Sequence, residues 1–283
     1  MDSSAARTNL SSHSVRIHHR REIGEGQFRI AYAGTYIGGN RNNQEAVCKC
    51  FKPIYSGLEH EYFADDRRII ERALRYAEDW NEFCQYGKEI LITYGSVMNI
   101  GGKQYLVEPL IRYFKKYTSN NGWIANSYNS NGVAAWEVEA MEAFTHYSYH
   151  KSGGQLIVCD LQGRYRHNRY SKNKSRFELT DPAICSRNRT YGPTDLGEKG
   201  IETFFSNHTC NKFCHSNNTR WSRPNRARTF FTPTSNTSMI RSSQAYLLST
   251  TNRARFTSTL QPVYDNIGYD DSDSDDCSDD DYW

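Results

Sequence analysis

The chain has 283 residues, of which 37% are hydrophobic, and its formal net charge is +3. No stretch resembles a signal peptide or approaches the roughly 20 apolar residues of a membrane span, so we expect a cytoplasmic protein, with a nuclear setting also open, and no membrane partner. In that setting the eight cysteines are typical of free thiols or metal ligands and exclude a disulfide framework.

The net charge conceals two regions of opposite sign. Residues 265–283 hold nine of the 32 acidic residues and none of the 35 basic ones, so the first 264 residues carry 23 acidic groups and a net charge of +12. A basic body suits phosphate ligands and an acidic partner, although it is also typical of a solubilising surface.

Composition divides the chain into three parts. Residues 1–20 are rich in Ser, Arg and His without an apolar period, which predicts a disordered basic arm. Residues 21–215 hold the periodic segments of one folded domain. Residues 216–283 are rich in Ser, Thr and Asn and end in Asp, which predicts a disordered linker and an acidic tail.

The folded domain begins with two predicted strands and a long helix. FRIAYAG (28–34) follows the flexible Gly24-Glu25-Gly26, and AVCKCF (46–51) alternates as a strand. Lys49 in the second strand lies among apolar residues, where a lysine is costly to bury unless an anion meets it. Residues 58–83 carry an apolar face at helical spacing, which predicts a helix packed on these strands.

A predicted strand pair follows this helix. ILITYGSVM (90–98) and QYLVEPLI (104–111) flank a Gly101-Gly102 turn. Pro109 interrupts the second strand, which fits a hinge between two lobes.

The centre of the chain is a helix followed by a buried strand. Val133, Trp136, Ala140 and Phe144 recur at helical spacing, and the continuous apolar run 156–159 predicts a strand buried on both faces. Asp160 and Gln162 follow two positions apart, which places a carboxylate and an amide on the same side of the chain at the mouth of a cleft.

A candidate metal site lies near the end of the folded domain. His208, Cys210 and Cys214 offer three soft or borderline ligands within seven residues, although this spacing also occurs without metal. His215 and Cys185 are competing ligands.

In order and spacing, these segments resemble the alpha-kinases, the atypical protein kinases that include myosin heavy chain kinases and elongation factor 2 kinase. The resemblance runs from about residue 22 to 214. It implies an α+β fold of two lobes, about 21–110 and 111–215, with a structural zinc site in the second, and a Ser/Thr protein kinase that uses ATP and Mg²⁺. The motifs that carry it are GEGQFRIAY (24–32), VCKCFK (47–52), VEPL (107–110), YTSNNGW (117–123), CDLQG (159–163), LTDP (179–182), YGPTDLG (191–197) and HTCNKFC (208–214).

The resemblance also implies roles for individual residues. Arg29 and Lys49 would reach the ATP phosphates, and the backbone of Glu108 and Leu110 would hold the adenine edge. Asp160 would orient or deprotonate the acceptor hydroxyl of a protein substrate. The magnesium ligands would be Gln162 and Asp181, and His146 would complete a zinc site with His208, Cys210 and Cys214.

Two features depart from the family pattern. Gly192 and Gly197 are kept in the expected nucleotide loop, but Thr194 adds bulk and Asp195 adds negative charge near the expected phosphates. Residues 164–178 form an insert with six Lys or Arg. These departures leave open a catalytically impaired module that binds ATP or protein.

A zinc-containing nucleic-acid binder is a further alternative, but the sequence lacks a paired CxxC array and a recognition helix, so a nucleic-acid partner is not expected. The sequence names no protein substrate. We hypothesise that the acidic tail 265–283 competes with an acidic substrate for the basic insert 164–178.

Overall fold

The computed structural model describes residues 12, 14–26, 28–55, 59–83, 88–126, 132–167, 175–216 and 219–240. The described residues form thirteen strands, three α-helices and two single 3₁₀ turns, Gly39–Arg41 and Pro53–Tyr55. The strands are β1 Ser14–Glu25, β2 Arg29–Ile37, β3 Glu45–Phe51, β4 Glu89–Ile92, β5 Ser96–Ile100, β6 Lys103–Pro109, β7 Lys115–Lys116, β8 Leu156–Cys159, β9 Gln162–Arg166, β10 Arg176–Thr180, β11 Ala183–Ser186, β12 His215–Ser216 and β13 Thr219–Arg220, and the helices are α1 Glu59–Phe83, α2 Ala135–Lys151 and α3 Glu198–Asn207.

The small lobe is an antiparallel sheet with the strand order β1-β2-β3-β6-β5. Alternation along β3 places Cys48 and Cys50 in one core cluster and Phe51 in another, beneath the start of α1. Lys49 therefore lies on a sheet whose faces are both packed.

Helix α1 belongs to both lobes, whereas the sequence predicts it on the small lobe alone. Its first turns place Tyr62 and Phe63 in the small-lobe core, and its later turns place Ile70 and Trp80 in the main core of the large lobe. A helix of 25 residues is about 37 Å long, enough to cross from one core to the other.

The large lobe is built on helix α2 and two sheets. Strand β8 is buried throughout, as its apolar run predicts, and it pairs with β11. A second sheet has the order β4-β10-β9-β7. Strand β4 pairs in parallel with β10, so the prediction that 90–98 and 104–111 form one strand pair is wrong in its first half, and only β5 pairs with β6.

The ends of the folded part extend beyond the predicted domain. Residues 14–20 were predicted within a disordered arm, but they form the first half of edge strand β1. The sequence predicts a disordered linker over residues 221–240, but this segment packs on both lobes: Trp221 joins the main core of the large lobe, and Met239 packs against the small-lobe core. Residues 1–11, the middle of the insert (168–174) and the acidic tail 265–283 lie outside the described residues. No helix in the described part of the chain combines the length and apolarity of a membrane span.

Candidate active site

Lys49 pairs with one carboxylate in each lobe. Its Nζ lies 2.7 Å from Oε1 of Glu108 and 3.2 Å from Oδ1 of Asp181. The Glu108 side chain is buried and also accepts a hydrogen bond from Thr180. The sequence analysis gives Glu108 only a backbone role and misses this ion pair. The signal is a Glu within the apolar run of β6: a buried carboxylate needs a cation nearby.

Arg29 is held in a defined orientation beside Lys49. Its guanidinium lies 2.6 Å from Asp66 of α1 and packs over the rings of Phe51 and Phe63. Burial raises the pKa of Asp66 to about 6, against the opposing charge of Arg29. Both groups that sequence analysis assigns to phosphate binding are thus present on the cleft side of the small lobe and held by carboxylates.

The expected adenine contact needs one correction. The N–H of Leu110 donates to the carbonyl of Glu45 at 3.1 Å, so in this structure it is not available to a ligand. This hydrogen bond directly follows the Ala46–Pro109 pair, with which the pairing of β3 and β6 ends.

Asp160 lies at the end of β8 in a left-handed conformation with φ of 57°. It is 2% exposed, and its Oδ1 lies 2.9 Å from Nζ of Lys116. Its Oδ2 accepts a 2.7 Å hydrogen bond from the hydroxyl of Thr237. Burial raises the pKa of Asp160, while Lys116 opposes the shift. The predicted base is therefore buried, oriented and already bonded to a hydroxyl group.

Gln162 and Asp181, the predicted magnesium ligands, are neighbours in the structure. Nε2 of Gln162 donates to the backbone carbonyl of Asp181 at 3.2 Å, and Asp181 also has a left-handed φ of 54°. Desolvation would raise the pKa of Asp181, but the charges of Lys49 and Arg29 outweigh it and hold that pKa below its ordinary value. A half-exposed carboxylate and a neighbouring side-chain amide offer oxygen ligands of the kind that a hard cation such as Mg²⁺ prefers.

Asp195, which sequence analysis places near the expected phosphates, is turned into its own loop in this structure. It is 1% exposed and accepts hydrogen bonds from the Ser186 N–H (2.7 Å) and hydroxyl (2.5 Å), from the Tyr191 N–H (3.2 Å) and from the Gly197 N–H (2.9 Å). A short acidic side chain in a tight loop satisfies the backbone of its own loop before it can reach a ligand.

The two glycines of this loop are required by close packing. Gly192 has φ of 74°, and a Cβ there would meet the carboxylate of Asp65 on α1. Gly197 has φ of 72°, and a Cβ would meet the side chain of Arg189. Both positions therefore have a structural reason for glycine that is independent of a nucleotide.

The basic insert is partly neutralised where the structure describes it. It extends β9 and β10 into a hairpin, and Glu178 pairs with three of its six cations, Arg164, Arg166 and Arg176. This pairing reduces the charge that an acidic segment or substrate would meet.

The four predicted zinc ligands meet in one cluster. The ligand atoms of His146, His208, Cys210 and Cys214 all lie within 4.8 Å of one another. Cys185 instead lies beside Cys159, with 3.8 Å between the sulfur atoms, so it does not compete.

Neighbouring groups orient the histidines of this cluster. Nδ1 of His208 lies 2.9 Å from a carboxylate oxygen of Glu142, and Nε2 of His146 lies 3.0 Å from the carbonyl of Ser222. Such outer contacts leave one nitrogen of each ring for a metal. Burial lowers the pKa of His146 to about 4, which keeps the ring neutral. The donor set and its surroundings fit a closed tetrahedral zinc site.

Together, the antiparallel small-lobe sheet, the lysine that reaches across the cleft and the carboxylates at the ends of β8 and β10 define a two-lobed kinase domain. A model of the alpha-kinase family matches residues 24–214. The chain therefore belongs to the alpha-kinase family, and the resemblance drawn from its motifs is confirmed.

Relatives and solved structures agree with this assignment. The chain is 35% identical over 192 residues to alpha-protein kinase vwkA of Dictyostelium discoideum, covering 64% of this chain and 28% of the relative. It is 30% identical over 165 residues to eukaryotic elongation factor 2 kinase of Caenorhabditis elegans, covering 56% and 19%. It thus spans less than a third of these relatives. The alpha-kinase domain of myosin heavy chain kinase A in complex with AMP shares the fold, with a TM-score of 0.57, 22% identity, and 71% and 88% of the two chains covered.

Proposed function

We propose that the chain is a catalytically competent Ser/Thr protein kinase that transfers the γ-phosphoryl group of ATP to protein hydroxyls. The observation that carries this proposal is the 3.2 Å contact between Lys49 of the small lobe and Asp181 of the large lobe. It joins a phosphate-binding cation to a metal-binding carboxylate across one cleft, next to the buried base Asp160.

The side chains divide the work of phosphoryl transfer. Arg29 and Lys49 bind the phosphate oxygens and leave their carboxylate partners when ATP enters. Asp160 holds the acceptor hydroxyl and takes its proton, and its raised pKa makes it a stronger base than a solvent-exposed aspartate. Phosphoryl transfer depends chiefly on such positioning and charge neutralisation.

Two metal ions belong to the proposal. Gln162 and Asp181 would hold Mg²⁺, which neutralises charge on the phosphates when bound. The cluster of His146, His208, Cys210 and Cys214 would hold a zinc ion that stabilises the large lobe and takes no part in the reaction.

The geometry favours this proposal over an impaired binding module. In the sequence, the negative charge of Asp195 is the main argument for a catalytically impaired module. In the structure, that carboxylate is buried and accepts hydrogen bonds from neighbouring residues. A family model that covers residues 24–214 equally disfavours an unrelated nucleic-acid binder.

Transfer of labelled phosphate from ATP and Mg²⁺ to Ser, Thr and Tyr peptides tests the proposal. Asp160→Asn and Asp181→Asn should each abolish transfer without unfolding the chain, because Asn keeps the volume and tolerates the left-handed backbone that both positions adopt. Asp79→Asn, at an exposed ion pair with Lys151, is the matched control. Full activity in either active-site variant, or transfer to Tyr alone, would contradict the assignment.

A further inference from the structure

One face of the sheet β4-β10-β9-β7 carries a row of polar and charged side chains that leads away from the candidate active site. Phe177 and Leu179 of β10 lie in the main core of the large lobe, so the residues that alternate with them lie on the opposite face. On that face the register of β9 and β10 pairs Gln162 with Thr180, Arg164 with Glu178, and Arg166 with Arg176. The Thr180 hydroxyl donates to Glu108 of the small lobe, so this face looks into the cleft.

The row starts beside the predicted base. Lys116 is the register partner of Gln162, and its Nζ lies 2.9 Å from Oδ1 of Asp160. Because a strand rises by about 3.4 Å per residue, Arg164 lies about 7 Å and Arg166 about 14 Å beyond Gln162 along β9. An extended peptide that follows this face from Asp160 rises by a similar amount per residue. The residues two to four positions from its acceptor hydroxyl therefore lie near the two arginines.

Three side chains of the row are guanidinium groups gathered around one carboxylate. Oε2 of Glu178 accepts from Nε and Nη2 of Arg164 at 2.8 and 2.7 Å, and Oε1 accepts from Nε and Nη2 of Arg176 at 3.2 and 3.1 Å. Nη1 of Arg166 lies 3.5 Å from Oε1. Glu178 thus fixes Arg164 and Arg176, which are 27% and 28% exposed, whereas Arg166 is 57% exposed and faces the solvent.

The carboxylates around the row do not balance its charge. Glu89 of β4 is the register partner of Arg176, so two carboxylates meet three cations in the part of this face that the structure describes. Residues 168–174, between β9 and β10, contain three further Lys or Arg and no Asp or Glu. A guanidinium has several N–H donors, and Arg166 uses one of them for an ion pair within the described residues. The row therefore has donors to spare for an anion that enters the cleft.

We propose that this row selects the protein substrate, and that Arg166 binds an Asp or Glu carboxylate two to four residues from the acceptor hydroxyl. The substrate class is an acidic protein segment that carries Ser or Thr. The fork of a guanidinium matches the two oxygens of a carboxylate, and the excess positive charge of the row adds to the attraction. This inference deepens the proposed kinase activity and rests on it.

A positional peptide library tests the preference of the full chain. Each pool has one central Ser or Thr and one neighbouring position fixed as Glu, Ala or Lys, with the other positions varied. With ATP and Mg²⁺ at low ionic strength, pools with Glu two to four positions from the acceptor, on one side of it, should be phosphorylated about 5-fold faster than the Ala pools, the factor expected from an exposed ion pair of about 1 kcal/mol. Pools with Lys there should be slower than the Ala pools. The preference should weaken at high salt, because the charges are then screened.

A charge exchange at Arg166 assigns this preference to the row. Arg166→Ala should raise the KM of an acidic peptide about 5-fold and leave kcat and the KM for ATP unchanged, because Arg166 contacts neither the reacting atoms nor the phosphates. Arg166→Glu should reverse the preference, so that Lys is favoured over Glu at the same position. Lys151→Ala is the matched control. Lys151 is 51% exposed, and its Nζ lies 3.5 Å from Asp79, but it ends α2 ahead of β8, whereas Asp160 follows the far end of that strand.

The outcomes separate this inference from the kinase proposal. Phosphorylation of the pools without a preference for Glu, or a preference for Glu that Arg166→Glu retains, would overturn the inference and leave the kinase proposal standing. A raised KM for ATP in Arg166→Ala, with the KM of the acidic peptide unchanged, would show that the row binds nucleotide phosphates and would also overturn it. Absence of transfer to every pool would overturn both.

Discussion

Substitutions of Asp195 can distinguish a structural role of its carboxylate from a catalytic one. Replacement by Ala would leave the N–H groups of Ser186, Tyr191 and Gly197 without their acceptor inside a buried loop. Each buried unsatisfied donor costs about 1–3 kcal/mol, but the loop can relax and such costs are not additive. We therefore expect Asp195→Ala to lower the free energy of unfolding by about 3–5 kcal/mol.

Asp195→Asn is the matched variant, because it keeps one acceptor oxygen. That oxygen can retain the N–H bonds of Ser186 and Gly197, which both meet Oδ1, and only the bond from Tyr191 to Oδ2 is lost. The Ser186 hydroxyl can accept from the new amide instead of donating. The expected cost is one neutral hydrogen bond and the charge, about 1–2 kcal/mol.

Thermal and urea unfolding, followed by tryptophan fluorescence, measure both effects. For a folded part of this size, a loss of 3 kcal/mol lowers Tm by roughly 6–12 °C, so the Ala variant should be clearly separated from the Asn variant. The surface variant Asp79→Asn should stay within about 0.5 kcal/mol of the parent protein.

Enzyme kinetics test whether the Asp195 carboxylate acts on the bound nucleotide. Because the carboxylate points into its own loop, Asp195→Asn should leave the KM for ATP unchanged. A marked fall in that KM, or equal stability of the Ala variant and the parent, would show that the Asp195 charge faces the phosphates, as the sequence alone predicts.

Two further predictions concern the metal cluster and the cleft. Metal analysis of the parent protein should return one zinc per chain. Cys214→Ser should release the zinc and lower Tm, whereas His215→Ala should do neither. If the parent protein contained no metal and Cys214→Ser left its Tm unchanged, the zinc site would be contradicted. Because the pKa of Asp66 is about 6 in the folded chain and about 3.9 when unfolded, the folded state binds the proton more tightly, and the contribution of Asp66 to stability must fall as pH rises from about 4 to 6. The charged groups that face Asp66 are Arg29, Lys49 and Asp181. As pH rises through that range, the free energy of unfolding of Asp66→Asn should increase by up to about 2–3 kcal/mol relative to that of the parent protein. A difference in urea midpoint between variant and parent that is the same at pH 4 and pH 7 would refute this.

The central motifs could be predicted because their signals are local. The apolar run of β8 fixes where Asp160 emerges, and the spacing of His208, Cys210 and Cys214 fixes most of the metal cluster. Family resemblance added His146, which no local spacing connects to the other three ligands.

The errors in the prediction have equally physical causes. Strand β1 is an edge strand with register shifts between Ile17 and Gly24, so the alternation that would reveal it is interrupted. Strand β4 pairs with β10 far along the chain, and adjacency in sequence wrongly favoured β5. Residues 232–240 are held by side-chain amides of Asn120 and Asn121 acting on backbone groups, an interaction that leaves no hydrophobic pattern in the bound segment.

The metal cluster and the active site are connected by the short segment between them. Trp221 packs against His146, the Ser222 carbonyl lies 3.0 Å from the same ring, and Arg223 donates to the sulfur of Cys210 and the carbonyl of His208. The chain then runs to Thr237 at the catalytic base. A metal that fixes these ligands therefore also fixes the starting point of the segment that enters the cleft. Because coupling between two sites is reciprocal, displacement of that segment from the cleft should be accompanied by a change in the metal affinity of the cluster.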